Sequence, residues 1–300
     1  MNTLRTKREI IEALRERGIR LKKSLGQNFL IDRNLLEFIV RAAGVNESDL
    51  VLEIGAGSGL LTRLLAESAG HVVAVEIDSR LLELLKEHTA GLGNLTLLNC
   101  DVLENKSRLN HAVVEAVSRK RELPNVSSFK CVANLPYAVG TIVIPLLLES
   151  PLRPELMVFT IQKEVCDRLT AQPGGKNYGA LSVIVQANAQ IEMLRVLGRK
   201  VFFPEPNVDS AIVRLTPTDE TRRNIVDYEL FSRLAHELFG HRRKKLAGAF
   251  EFSEHFNLPR EQLDSIFERA SIDAELRPEK LSVEQIVRLA NEFAAKVKST

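Results

Sequence analysis

Five short apolar segments alternate with helix-patterned segments between residues 50 and 169, and this alternation constrains the chain more than any other feature. "LVLEI" (50–54) runs into a glycine loop and then "GLLTRLLAES"; "HVVAV" (71–75) runs into "SRLLELLKEH". "LTLLN" (95–99) precedes a helical pattern around Leu109 to Val117, "KCVA" (130–133) precedes "TIVIPLLLES", and "LMVFTI" (156–161) precedes "KEVCDRL". Strands that are apolar throughout must be covered on both faces. The pattern therefore predicts an α/β fold with a parallel, doubly wound sheet. Right-handed crossovers put every strand-to-helix loop at one sheet edge, where ligands of such folds sit. The glycine loop, Glu76, Asp101 and Asn134 should converge there.

Upstream, Asp32 is placed to cap a helix with Leu35, Leu36, Ile39, Val40 and Ala43 on one face, and Gly44 is placed to stop it. Downstream of "PGGKNYG" (173–179), expected as a mobile loop, "IEMLRVLG" and "DSAIVRL" flank the Pro-rich "FFPEPNV". They read as an antiparallel pair joined by a rigid connector. From Asp219 the pattern becomes purely helical: Phe231, Leu234, Ala235, Leu238 and Phe239 share one face, and amphipathic segments restart near Pro259 and Ser282. The expected division is 1–217, with a helical lead-in over 1–45, followed by a small all-α domain over 218–300.

Composition narrows the function classes. The 300 residues are 45% hydrophobic and 27% charged with a net charge of +2, so an acidic partner is permitted without being required. Cys100, Cys131 and Cys166 are widely spaced in apolar runs, which predicts buried reduced thiols and neither a disulfide framework nor a metal knuckle. The six His residues are scattered, and no metal is expected. No apolar run is long enough to span a bilayer. Glu9, Glu12 and Glu16 interrupt the basic residues of the first segment, against a transit peptide, so a cytoplasmic location without membrane association is expected.

"EIGAGSG" places Gly55, Gly57 and Gly59 directly after the first strand, where the backbone must turn sharply and approach a ligand closely. A dinucleotide fingerprint would have glycine at position 60, where the chain has Leu60, which disfavours NAD. Glu76 ends the second strand, where a carboxylate accepts from ribose hydroxyls, and Asp101 ends the third, where an acceptor meets an adenine amine. Either alone also reads as a solvated strand end. Pro136 cannot donate to a ladder, so "VANLPY" (132–137) holds Asn134 and Tyr137 at a strand's carboxyl end. A plain turn, with Asn134 bonding its own backbone and Tyr137 covering the core, is the alternative. An adenine amine is a poor nucleophile that must be positioned and hydrogen-bonded. The Asn134 side-chain oxygen and the Leu135 carbonyl could accept its two protons, Pro136 fixes the turn, and Tyr137 offers a face on which an extruded base stacks.

With these motifs in place, the chain resembles the ribosomal RNA adenine N6,N6-dimethyltransferases over nearly its whole length. The resemblance is carried by "SLGQNFL" (24–30), "EIGAGSGLLT" (53–62), "VEID" (75–78), "NCDVLE" (99–104), "VANLPY" (132–137), "QKEV" (162–165), "FFPEPNVDSAIVRL" (202–215) and "RRKKL" (242–246), in order. It implies a Rossmann-like class I methyltransferase sheet, S-adenosyl-L-methionine as methyl donor, and two adjacent adenosines in a hairpin loop near the 3′ end of small-subunit rRNA as acceptors. Donor-site roles fall on Asn28, Leu30, Gly55, Gly57, Glu76, Asp101 and Asn134. The acceptor base is expected near Asn134, Leu135, Pro136 and Tyr137, with Phe202 as a second aromatic face and Phe203 as the neighbour that could exchange roles with it. The resemblance further implies action on an assembling ribosomal subunit, an RNA-binding helical domain and a monomer.

Ala56 stands where the family often has Pro, and "AVGT" follows "NLPY" where the family varies. The stretch 105–128, with the basic "SRKRE", looks long for the family and reads as a solvated helix end or an added RNA-contacting surface. Lys22 and Lys23, Arg195, Arg199 and Lys200, and Arg242 to Lys245 are the basic clusters available to RNA, each equally readable as a solvated face. Arg242 lies close to the apolar stripe of Phe231 and Leu238, which suggests a half-buried structural pair. Rival readings are a large-subunit rRNA methyltransferase of the macrolide-resistance type, and a non-catalytic RNA-binding assembly or transcription factor on the same fold.

Overall fold

The computed structural model describes residues 7–22, 25–250, 253 and 255–297; Lys23 and Ser24 of the expected basic and "SLGQNFL" motifs lie outside the described residues. The chain divides into two compact units, Met1–Cys166 with Ile191–Pro217, and Asp167–Gln190 with Thr218–Thr300. A single boundary at 217/218 thus misses one excursion of the chain, over 167–190, into the helical unit.

The first unit is built on strands β1 (Asp49–Ile54), β2 (His71–Val75), β3 (Leu95–Leu98), β4 (Ser128–Asn134), β5 (Leu156–Gln162), β6 (Ala189–Leu197) and β7 (Ser210–Pro217). They form one seven-stranded sheet in the order β3-β2-β1-β4-β5-β7-β6. The five strands expected from the alternation are parallel, with Val51 opposite Val72, Val73 opposite Thr96, Leu52 opposite Cys131 and Ala133 opposite Phe159. β7 runs antiparallel to β5, from Ser210 opposite Gln162 to Leu215 opposite Met157. The Pro-rich connector therefore joins two strands of this same sheet. Every residue of β1 and β2 is buried, as sheet covered on both faces requires.

Helices α1 (Lys7–Glu16), α2 (Arg33–Ala42), α3 (Leu60–Ala66), α4 (Ser79–His88), α5 (His111–Arg121), α6 (Gly140–Glu149) and α7 (Lys163–Leu169) follow the expected pattern. Asp32 caps α2 by accepting from Leu35 N at 3.2 Å, and Gly44, at φ +53°, follows its end. Leu35, Leu36 and Ile39 of α2 and Leu61 and Leu65 of α3 pack with Val51, Val132, Val158 and Ile212 in one apolar cluster. Val40 is only half-buried. Cys131 and Cys166 are buried outside any disulfide and Cys100 is partly exposed.

The second unit contains α8 (Ala180–Gln186), α9 (Tyr228–Gly240), α10 (Leu246–Ala249), α11 (Arg260–Arg269) and α12 (Val283–Val297). Its core gathers Phe231, Leu234, Leu238, Phe250, Phe256, Phe267 and Phe293. The segment "PGGKNYG", expected to be mobile, is tied to this unit: Tyr178 is fully buried, meets Phe239 edge-on at 5.6 Å, and Gly174 N donates to Glu279 O. A buried aromatic anchors a glycine-rich segment that composition alone marks as loose.

Candidate active site

At the end of β1, Gly55, Gly57 and Gly59 take φ values of +75°, +58° and +83°, conformations that side chains with a Cβ rarely adopt. All three are also close approaches, Gly59 to the Leu85 side chain, which an added Cβ would meet at 2.7 Å. A Cβ on Gly55 would lie 2.7 Å from the Pro136 ring, and one on Gly57 would lie 2.7 Å from the Phe29 ring. Gly55 N and Ala56 N both donate to Val75 O, at 2.8 and 3.1 Å, so the loop is locked onto the end of β2.

Glu76 follows β2 and is almost fully enclosed. Its Oε2 accepts from Gly57 N at 2.8 Å and its Oε1 from Asp78 N at 2.9 Å. Burial pushes its carboxyl upward from the ordinary range, and the two backbone N–H groups oppose that shift. Each oxygen keeps a further lone pair, so the carboxylate can still accept from a diol. Ile77 beside it is 44% exposed, a large apolar surface at the ligand edge that the strand pattern did not single out. Asp78 caps α4 through Arg80 N, and the Arg80 guanidinium holds its carboxyl down at about 2. Lys22 Nζ lies 3.6 Å from Asp78.

Asp101 differs from expectation in placement. β3 stops at Leu98, because the Asn99 side chain donates to Glu76 O at 2.8 Å instead of continuing the ladder. Asp101 consequently stands in the loop beyond, exposed, with Oδ1 accepting from Leu103 N at 2.9 Å. The acceptor expected at a strand end is instead an Asx-turn residue whose Oδ1 is taken by Leu103 N. Glu53, inside β1, is only 2% exposed, and burial, reinforced by Glu76, pushes its carboxyl up to about 8.

On the neighbouring strand, β4 ends at Asn134 as Pro136 demands, and Leu135 N makes a last bond to Thr160 O at 3.1 Å. Asn134 Nδ2 donates to Asn28 O at 2.8 Å. A carbonyl only accepts, so this bond takes the Nδ2 side of the amide and leaves Oδ1 as the acceptor on its other side. Asn134 does not fold back on its own turn. Tyr137 is half-buried, with its hydroxyl 2.6 Å from Ser210 Oγ. Gly26, at φ +64°, sits so close to this turn that a Cβ would lie 2.7 Å from Tyr137 N. Neither Gly26 nor Ser210 was singled out from the sequence, since each owes its place to Tyr137, far away in the chain.

Phe202 is buried and is not the open aromatic face expected of it. Phe29–Leu30 pairs antiparallel with Phe202–Phe203, Leu30 opposite Phe202 and Phe29 opposite Phe203. Successive residues face opposite ways, so Leu30 and Phe202 enter the main core with α2 while Phe29 and Phe203 turn to the small cluster of Ile10, Leu14, Leu81 and Leu84. Phe202 is 1% exposed and offers no open ring face; Phe203 is the half-buried member. The Leu30 side chain is buried for the same reason, which leaves its backbone for any ligand contact.

The basic clusters also sort by their partners. Arg242 donates to Glu279 at 2.8 Å and to Lys176 O at 3.2 Å, the structural pair its position suggested. Lys245 pairs with Glu275, and Arg199 lies 3.7 Å from Glu205. In the stretch 105–128, Arg119 pairs with Glu115 at 2.6 Å and Arg121 lies over the Phe129 ring at 5.0 Å, so two of the three basic residues of "SRKRE" have partners within their own unit. Among the described residues no cluster of His, Cys, Asp and Glu could hold a metal ion, and no helix is long and apolar enough to cross a membrane.

Known proteins resemble this chain in sequence and in fold. The chain is 40% identical over 274 residues to a ribosomal RNA small subunit methyltransferase A of Levilactobacillus brevis, covering 91% of this chain and 90% of that protein. It is 41% identical over 285 residues to the protein of the same name from Geobacillus thermodenitrificans, covering 93% of each. Among solved structures, a dimethyladenosine transferase from Plasmodium falciparum superposes with a TM-score of 0.72 at 27% identity, over 89% of this chain and 97% of that one. The 23S rRNA methyltransferase ErmE does so with a TM-score of 0.62 at 26% identity, over 89% and 99%. A family model for ribosomal RNA adenine dimethylase matches residues 18–295. By sequence and by fold, the chain belongs to the ribosomal RNA adenine dimethylase family.

Proposed function

We propose that the protein transfers methyl groups from S-adenosylmethionine to N6 of two adjacent adenosines in a hairpin loop near the 3′ end of small-subunit rRNA, acting on the assembling subunit in the cytoplasm as a monomer. The observation that carries the acceptor chemistry is the Asn134 amide, oriented by Asn28 O beside the half-buried Tyr137. The donor group fits the residues present: Glu76 is a carboxylate held by two backbone N–H groups with lone pairs to spare, next to the exposed apolar Ile77. When bound, S-adenosylmethionine supplies an electrophilic methyl group on a sulfonium. Glu76 would accept from its ribose and Asp101 from its adenine amine, and the Gly55–Gly57 turn, Asn28 and the Leu30 backbone would help to hold it.

The chain's own residues then handle the acceptor. Asn134 Oδ1 and Leu135 O accept the two protons of the amine, which draws its lone pair out of conjugation with the ring and aims it at the donor side. Pro136 denies the strand a further ladder bond and keeps the turn open, and Tyr137 stacks the extruded base, at about 1–3 kcal/mol. The helical unit is the RNA clamp. Its contact with paired RNA is through backbone and shape, and base-specific contact is confined to the unpaired loop.

Methyl transfer from labelled donor to unmethylated small subunits, with large subunits and free rRNA in parallel, tests this reading. Dimethyladenosine should appear on small subunits and fall by on the order of 100-fold or more in Asn134→Ala and Tyr137→Ala. The likeness to ErmE favours the large subunit as the second reading, and transfer only to large subunits would establish it. Tight binding of small subunits without transfer would replace the enzyme with a scaffold.

A further inference from the structure

Tyr137 is held at both ends, by Gly26 at its backbone and by Ser210 at its phenol. At its backbone, Gly26 takes φ +64°, and an added Cβ would lie 2.7 Å from Tyr137 N, 3.2 Å from Ala138 N and 3.3 Å from Tyr137 Cβ. At its phenol, Ser210 Oγ lies 2.6 Å from the hydroxyl, and Ser210 is itself fully buried at the start of β7, in register with Gln162 of β5. An aromatic side chain anchored only at Cα turns about two torsions. Anchored also at its hydroxyl, on a strand of the central sheet, it keeps one ring plane.

The Gly26 contact continues into the acceptor group next door. Asn28 Nδ2 donates to Gly26 O at 3.3 Å, and Asn28 O orients Asn134 at 2.8 Å. The same short segment thus sets the amide that receives the amine and the turn that carries the stacking ring. Each transfer would form an N6–C bond as the donor's sulfonium S–CH3 bond breaks, leaving a neutral thioether, with one N6 proton released to solvent. The second therefore starts from a bulkier amine with one proton left to be held, and depends more heavily on the ring to keep the base in place.

We propose that Gly26 and Ser210 are positioning residues that clamp Tyr137 from its two ends, and that this clamp governs the second methyl transfer more than the first. The proposal rests on the reading that Tyr137 stacks the target adenine.

The test measures monomethyladenosine and dimethyladenosine formed on unmethylated small subunits by wild type, Ser210→Ala, Tyr137→Phe, the double variant and Gly26→Ala, together with S-adenosylmethionine binding by calorimetry. Tyr137→Phe keeps the ring and removes only the bonded hydroxyl, so it carries the test even where Ser210→Ala or Gly26→Ala disturbs folding. Each single variant should slow the second transfer by roughly 10-fold and let monomethyladenosine accumulate, with donor affinity unchanged in Ser210→Ala and Tyr137→Phe, and the double variant should be no slower than Ser210→Ala or Tyr137→Phe alone. Wild-type product ratios in Tyr137→Phe, equal slowing of both transfers, or additive losses in the double variant would overturn the clamp while leaving the enzyme reading intact. No transfer by the wild type on any RNA substrate would overturn the enzyme reading itself.

Discussion

Glu53 shows how a single residue can carry a pH dependence no motif reveals. Its carboxyl, enclosed in β1, is pushed from an ordinary value of 4.5 to about 8, first by burial and then by Glu76, with Thr62 opposing. Between those two values the folded protein holds a proton that the unfolded chain has released. That stabilisation is fully present below the lower value and is lost as pH rises through the upper one. Glu53→Gln cannot ionise. Its melting temperature should therefore hold between about pH 6 and about pH 9 while that of the wild type falls, and a wild-type curve that is flat or rising over this range would show Glu53 to be ionised in the fold. The residues Gly55, Gly57, Glu76 and Asn134 were legible in sequence because steric need or strand termination marks them locally. Gly26, Ser210 and Ile77 were not, since their significance comes from contacts and exposure that arise only when distant segments meet.

At the scale of elements, the strand and helix order was legible almost throughout, since apolar runs and capping residues act over a few positions. The tie between elements was not. Lys130 on β4 places Nζ 2.8 Å from Asp49 Oδ2 on β1 and 2.8 Å from Gly44 O, and both side chains are largely buried. Asp49 Oδ2 also accepts from Asn46 N at 2.7 Å, so this pair joins the start of β1, the α2 exit and β4. Lys130→Met strands a buried carboxylate and should cost about 3–5 kcal/mol in denaturant unfolding, whereas adding Asp49→Asn should recover a large part of it. Equal losses in the single and double variants would mean that the pair does not act as a unit. The pairing of Phe29–Leu30 with Phe202–Phe203 is a second example: either Phe of "FFPEP" satisfies the sequence pattern, and only the register puts Phe202 in the core.

For the whole molecule, a helical second unit was legible in the change of periodicity after Asp219, but its recruitment of 167–190 was not. Tyr178 commits that segment, and nothing around it in the sequence distinguishes a buried tyrosine from one on a loose loop. The aromatic core of this unit is concentrated on Phe250, which meets Phe256, Phe267 and Phe293 at ring distances of 5.8, 6.2 and 5.3 Å. Phe250→Ala should destabilise the helical unit by about 3–5 kcal/mol, with amide protection lost first in α9, α11 and α12 and S-adenosylmethionine binding retained. Protection lost evenly across both units would show that they unfold together.

The sequence by itself determined the α/β alternation, the glycine turn, the strand stop at Pro136 and the family, because periodicity, sterics and motif order are properties of neighbouring residues. Only the tertiary structure decided which Phe is buried, which way the Asn134 amide points, what anchors Tyr137 and where 167–190 belongs. Those are contacts between residues many positions apart, and their free energy exists only once the chain has brought them together.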